Sequence, residues 1–210
     1  MTTHLCLIRH GETEWNAAGR IQGQLDVPLN AVGLAQADAV ARELANEKFS
    51  VIYCSDLIRV RQTTAPTAEI LKLSPHYTDK LRERHYGMFE TLTYAEAKEK
   101  HPEAYAQFKD RDPDFDFTSG ESLKDFYHRS VDCVSNITAK HPGERVLIFT
   151  HGGVLEMVRR FALAINISAP RDFEIPNAAL NWIEVDGDDW RVAMWASQTH
   201  LADTLDELPG

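Results

Sequence analysis

The sequence is short of positive charge. Its 210 residues carry 22 lysines and arginines against 32 aspartates and glutamates, a formal net charge of -10 with histidine neutral. Such a chain lacks the broad basic face that nucleic acid or an anionic membrane demands, so neither is expected as a partner. It is also short of cysteine, with three and no CxxC pair. Cys6 and Cys54 fall in apolar, strand-like runs and Cys133 in a helix-like stretch, settings in which a thiol acts as a small hydrophobe. No apolar run approaches the roughly 20 residues that cross a bilayer. The N-terminus reads as strand from Leu5, with no secretory leader ahead of it. There is no HExxH, no internal repeat and no low-complexity tract. The expectation is one cytoplasmic domain spanning residues 1–210, long enough to bury a substantial core.

Residues Leu5 to Asn16 organise what is there. Leu5 to Ile8 reads as a buried strand, and it stops at Arg9-His10-Gly11. Val146 to Thr150 has the same form and stops at His151-Gly152-Gly153. Strands of open α/β sheets bind ligands beyond their carboxyl ends. Two strands that each end in His-Gly therefore predict two imidazoles side by side at one sheet edge. Gly11 would permit a sharp turn or the close approach of a ligand to the backbone.

Strands and helices alternate along the rest of the chain. Thr13 to Asn30 lacks a steady period and reads as a long, functional loop. Asn30 caps a helix with Leu34, Ala37, Val40, Ala41 and Leu44 on one face. Val51 to Cys54 is a strand, and the helix after Ser55-Asp56 runs to about Leu73, with a break or kink expected at Pro66. His76 to Thr78 is a third strand. Thr93 and Glu96 form a capping box, Pro102 marks a boundary, and Asp110 to Gly120 reads as exposed loop. Helical spacing returns from Glu121 to Lys140 and from Gly152 to Ala164. Ala179 to Val185 and Arg191 to Trp195 are strands joined at Asp186-Gly187-Asp188, the second an edge that could pair subunits into a homodimer; a loose tail follows from Thr199. The alternation implies a three-layer α/β/α fold with a mainly parallel central sheet.

Some chemistry follows from residue type alone. A neutral imidazole is a nucleophile at neutral pH, and His10, at a strand end, is the candidate. Arginine suits a phosphate cradle because its planar fork donates to two oxygens and stays charged. Arg9 adjoins His10, and Arg59 lies just inside a helix that follows a strand. Arg61 is two residues on and faces away from Arg59. His151 can hold a phosphate oxygen, and Gly152 can let a backbone N–H approach the same one. A metal site is the other use of paired histidines, but no carboxylate cluster flanks either, and two arginines repel a divalent cation.

Arg9-His10-Gly11-Glu12-Thr13 with Trp15-Asn16 resembles the signature of the histidine phosphatase superfamily, phosphoglycerate mutase branch. Further segments follow in the family's order: Gly19 to Gly23 with Asp26 to Leu29, Ser55 to Arg59 with Gln62-Thr63, Leu81 to Arg84 with Gly87, and Thr150 to Gly153. The resemblance implies the α/β/α fold, a covalent phosphohistidine at His10, and a cradle of Arg9, Arg59 and His151. It selects Glu83 over Glu12 and Glu14 as general acid. It implies that Asn16, Gln22, Gly23 and Gly152 reach phosphate or substrate, and that Arg84 and Tyr86 hold the rest of the substrate. It implies no cofactor and no metal.

Mutase and phosphatase members of that family differ at the second anchor. Mutases carry a lysine where this chain has Tyr94, and an adjacent arginine pair in the following insert, where this chain offers only Lys109 and Arg111 among aspartates. Phe115, Phe117 and Ser119 to Ser122 resemble the phosphatase members, although Thr91 stands where many of those have glycine. The expectation is a phosphomonoester hydrolase acting on a small phosphorylated substrate. A phosphoglycerate mutase using the same residues is the alternative, and an idle phosphate-binding protein is the alternative of another class.

Overall fold

The computed structural model describes residues 1–202. Its strands are β1 (Thr3–Arg9), β2 (Val51–Ser55), β3 (Pro75–Thr78), β4 (Arg145–Thr150), β5 (Leu180–Asp186) and β6 (Asp189–Ser197). Its helices are α1 (Glu14–Ala17), α2 (Ala31–Leu44), α3 (Ile58–Leu71), α4 (Tyr94–Lys100), α5 (Pro102–Lys109), α6 (Leu123–Lys140) and α7 (Gly152–Ala162). They build one six-stranded sheet in the order β3-β2-β4-β1-β5-β6. The β3-β2, β2-β4 and β4-β1 pairs are parallel, and β5 and β6 add an antiparallel flank.

Strand alternation sorts the core into two layers. Leu5 and Leu7 of β1 and Val146 and Ile148 of β4 pack against α6 and α7. Cys6, Ile8, Leu147 and Phe149 face the other way, onto α2 and α3. Both central strands are therefore apolar throughout, as strands covered on both faces must be. β1 leads toward α2 on one face and β4 leads into α7 on the other. Neighbouring parallel strands whose connections part in this way open a crevice at their carboxyl ends.

The capped elements follow their sequence signals. Asn30 Oδ1 accepts the Gly33 N–H at the start of α2, and Thr93 with Glu96 completes the capping box of α4. Pro102 is the first residue of α5. Three expectations need correction. The helix α3 runs unbroken through Pro66, because its buried stripe of Val60, Thr63, Thr64 and Thr67 holds it against the sheet. The Asp110 to Gly120 segment is not simply exposed: Phe117 is fully buried in a third apolar cluster with Phe89, Ile21 and Ala97. The tail does not loosen at Thr199, since Thr199–Leu201 forms a 3-10 turn and Leu201 is buried against the α2 layer. The rest of that tail, 203–210, lies outside the described residues.

Candidate active site

The register of β1 on β4 pairs Arg9 with Thr150, and the His10 N–H donates to the Thr150 carbonyl at 3.0 Å. Hence the chain leaves both strands at the same level, and the His10 and His151 rings meet edge to face with centroids 5.2 Å apart. His10 is almost wholly buried. Its Nδ1 lies 2.7 Å from the Gly11 carbonyl oxygen. A carbonyl only accepts, so Nδ1 carries the proton and Nε2 keeps its lone pair. Burial, then the charges of Arg59 and Arg9, push the His10 pKa well below 6.5. The ring is a neutral imidazole.

Gly11 has a packing role that the sequence did not indicate. A Cβ there would sit 2.5 Å from the Gly33 carbonyl oxygen, and one on Gly33 would overlap the Glu12 carbonyl. Two glycines let the first turn of α2 press against the backbone after His10. Thr63 of α3 fixes the same backbone by accepting the Gly11 N–H at 2.9 Å.

His151 is fully buried and its pKa also falls well below 6.5, through burial, Arg59 and His10. Arg59 Nη2 donates to His151 Nδ1 at 3.2 Å. The proton therefore sits on Nε2 and is donated to Ser55 Oγ at 2.9 Å. Arg59, wholly buried, also donates to the carbonyls of Leu25 at 2.7 Å and Gly23 at 2.8 Å. It thus ties the long loop after β1 to the sheet. Burial lowers its guanidinium to about 10, which leaves it charged at neutral pH. Arg61 points elsewhere, over the Tyr77 ring, as helical spacing requires.

Arg9 donates from Nη1 to the Ile175 carbonyl at 2.6 Å. A Cβ on Gly152 would come within 3.4 Å of Arg9 Nε, so that glycine lies directly against the guanidinium. The Nε–H groups of Arg9 and Arg59 are buried and have no protein partner among the described residues. A buried donor left unpaired costs about 1–3 kcal/mol, which an anion between the two arginines would offset.

Glu83 is not the surface ion pair that its arginine neighbours might indicate. Its Oε1 accepts the Arg84 N–H at 2.8 Å and its Oε2 accepts the Gly153 N–H, in the first turn of α7, at 3.0 Å. Its charge reaches both Arg9 and Arg59.

The loop residues divide. Asn16 Oδ1 is committed to the Thr13 N–H and hydroxyl at 3.2 and 3.1 Å, as the third residue of a capping box on α1. Gln22 is buried, and its Oε1 lacks a protein partner among the described residues. Gly23 takes φ +53°, and a Cβ there would overlap the Glu90 carboxylate. Arg84 is buried and donates to the carbonyls of Glu121 and Phe115, with its guanidinium 4.6 Å above the Phe117 ring. Beside it opens a cleft of about 440 Å³, lined by Arg84, Tyr86, Tyr94, Gly153, Glu156 and Arg171 among others.

Several residues escaped the sequence reading. Asn177 donates to the His10 carbonyl at 2.9 Å, Ser55 holds His151, and Arg171 joins the cleft from the loop between α7 and β5. Ser55 did end a strand in sequence, but only the sheet order puts β2 beside β4. Nothing local marks Asn177 or Arg171. Among the described residues no group of three or more His, Cys, Asp or Glu side chains could hold a metal ion, and no helix is long and apolar enough to cross a membrane.

An α/β/α fold whose two central parallel strands deliver paired neutral histidines beside Arg9 and a buried Arg59 defines an enzyme of the phosphatase type. The chain belongs to the histidine phosphatase superfamily (branch 1), whose family model matches residues 5–198. It is 40% identical over 205 residues to a metal-independent phosphoserine phosphatase of Arabidopsis thaliana, covering 95% of this chain and 84% of that protein. It is likewise 40% identical over 204 residues to phosphoglycerate mutase-like protein 4 of that plant, with 95% and 87% covered. Among solved structures, a mycobacterial glucosyl-3-phosphoglycerate phosphatase matches with a TM-score of 0.84 at 28% identity, over 94% of this chain and all of that one.

Proposed function

We propose that this chain hydrolyses the phosphomonoester of a small phosphorylated metabolite, with O-phosphoserine the first candidate. The observation that carries the reading is the state of His10: neutral, with Nδ1 protonated and Nε2 free, within reach of the charges of buried Arg59 and half-buried Arg9. Nε2 attacks phosphorus, and the bond to the leaving oxygen breaks as N–P forms. Arg9 and Arg59 take the equatorial oxygens. Glu83 protonates the leaving alkoxide, then removes a proton from the water that attacks the phosphohistidine. That water cleaves N–P, releasing inorganic phosphate and restoring His10.

His151 needs a second proton to join the cradle. When a phosphoryl oxygen draws Arg59 away, an ester that enters as its monoanion can pass its proton to Nδ1 while the Nε2 proton stays donated to Ser55, and the resulting imidazolium presents its Nδ1–H to the dianion. Hydrolysis is favoured over mutase transfer because the insert's Arg111 is tied to Glu156 at 2.6 Å, which takes one of the insert's two cations out of the second anchor. Three unoxidised thiols fit a cytoplasmic setting, and burial pushes Cys54 up to about 12 and Cys133 to about 11.

The test is phosphate release from O-phosphoserine, 3-phosphoglycerate and p-nitrophenyl phosphate. The His10→Ala variant should lose about 10³-fold or more, and with it the acid-labile, alkali-stable phosphate label on the protein. Isomerisation of 3-phosphoglycerate with little free phosphate would make the enzyme a mutase.

A further inference from the structure

The wall of the cleft beside Glu83 carries one acid and an excess of cations. One oxygen of that acid, Glu156, is already doubly engaged. Glu156 Oε1 accepts from Arg111 Nη2 at 2.6 Å and from Arg160 Nε at 2.9 Å. Arg84 spends two donors on backbone carbonyls. Arg171 differs from both. It makes no hydrogen bond to a described residue, its nearest ionic partner is Glu156 Oε2 at 3.6 Å, and half of its side chain is exposed.

The segment that presents Arg171 is nonetheless fixed. Arg160 donates to the carbonyls of Asn166 and Ala169 at 2.7 and 2.9 Å, and Arg111 donates to that of Ile167 at 2.8 Å. Beyond Arg171, the Arg159 guanidinium stacks 3.9 Å from the Phe173 ring, and Trp195 Nε1 donates to the Glu174 carbonyl at 2.9 Å. Arg9 then holds Ile175. A guanidinium held only by one long ion pair, on a backbone pinned at both ends, is preorganised for a ligand, because little backbone ordering remains to be done on binding. The Arg9 clamp also ties this segment to the phosphate end of the site. The Arg171 charge is one of the influences that lower the Arg9 guanidinium.

We propose that Arg171 selects substrates that carry a carboxylate next to the phosphorylated carbon chain, gripping that carboxylate from the cleft while the phosphate lies at His10. The assignment rests on the phosphatase reading above. A carboxylate fits because Arg171 meets Glu156 Oε2 only at 3.6 Å, which leaves its donors for a substrate carboxylate. The planar fork of arginine meets both carboxylate oxygens, which a lysine ammonium cannot reproduce.

The experiment compares kcat/KM for O-phosphoserine and O-phosphoethanolamine, which lacks only the carboxylate. Wild-type enzyme should prefer O-phosphoserine, and Arg171→Ala should cut that preference about 10-fold or more, chiefly through KM. Arg171→Lys keeps a charge for folding and should recover part of the loss. Equal loss on both esters would mean that Arg171 only supports the loop, and the proposal falls. It falls as well if the wild type shows no preference, or if the preference survives in Arg171→Ala. Failure of wild-type enzyme to release phosphate from either ester and from p-nitrophenyl phosphate would instead overturn the phosphatase reading itself.

Discussion

Thr91 holds φ at +75°, a conformation that a β-branched residue adopts only at a cost of about 1–3 kcal/mol. Its surroundings enforce it. Its N–H donates to the Ile21 carbonyl at 2.9 Å and its carbonyl accepts from Arg20 at 2.7 Å. The preceding Glu90 accepts the N–H groups of Gln24 and Tyr86, both at 3.1 Å. The position that resembles glycine in phosphatase relatives thus keeps a glycine-like backbone under a threonine side chain. Thr91→Gly should remove the strain, part of which is offset by the greater freedom of glycine in the unfolded chain. A net gain of about 1 kcal/mol is expected, seen as a rise in Tm of about 2–4 °C. A lower Tm would show that the threonine side chain is worth more than the strain it carries.

At the scale of elements, the start of α7 is built from residues that do little for a helix. Gly152 and Gly153 have poor helix propensity, and His151 supplies no side-chain cap. Glu83 caps the helix from a distant loop, where a carboxylate also meets the favourable end of the helix dipole. The missing Cβ at Gly153 makes room for it: a Cβ there would overlap Glu83 Oε1 and come 2.9 Å from the Phe126 ring. Gly153→Ala should therefore displace the Glu83 carboxylate. For an alkyl ester such as O-phosphoserine, kcat/KM should fall about 10²-fold. The loss should be smaller for p-nitrophenyl phosphate, whose leaving group needs little protonation. Equal losses on both would remove Glu83 from the role of acid. The same scale explains why Pro66 failed as a breaker: it removes one N–H from α3, but the buried threonine face outweighs that loss.

For the whole molecule, buried neutral histidines make stability depend on pH. Both His10 and His151 have folded pKa values well below 6.5. Between those values and 6.5 the unfolded chain binds more protons than the folded one, so stability rises with pH there. Stability is fully present above 6.5 and is lost as pH falls below it, by up to about 1.4 kcal/mol per pH unit for each histidine. Urea unfolding at pH 7.5 and 5.5, in buffer without phosphate or sulfate, should show the fall. Substituting His10 by Gln should reduce the slope, and an unchanged slope would mean that His10 is not held neutral. Bound phosphate should stabilise the native state by mass action.

The sequence by itself determined the elements and the chemistry they carry. Continuous apolar runs defined β1 and β4, Asn30, Thr93 and Pro102 marked helix starts, and the His-Gly strand ends marked the two imidazoles. These signals are local, because period, caps and backbone freedom act within a few residues. Only the tertiary structure decided what lies between. The order β2-β4-β1 puts Ser55 against His151, the β1-β4 register sets the two rings together, and Arg59 assigns the His151 proton. Gly11 lets a helix pack close, and Phe117 of an acidic loop becomes core. Asn177 and Arg171 enter the site from a loop with no motif of its own. Their placement depends on contacts between distant segments, which exist only once the sheet has closed around its central pair of strands.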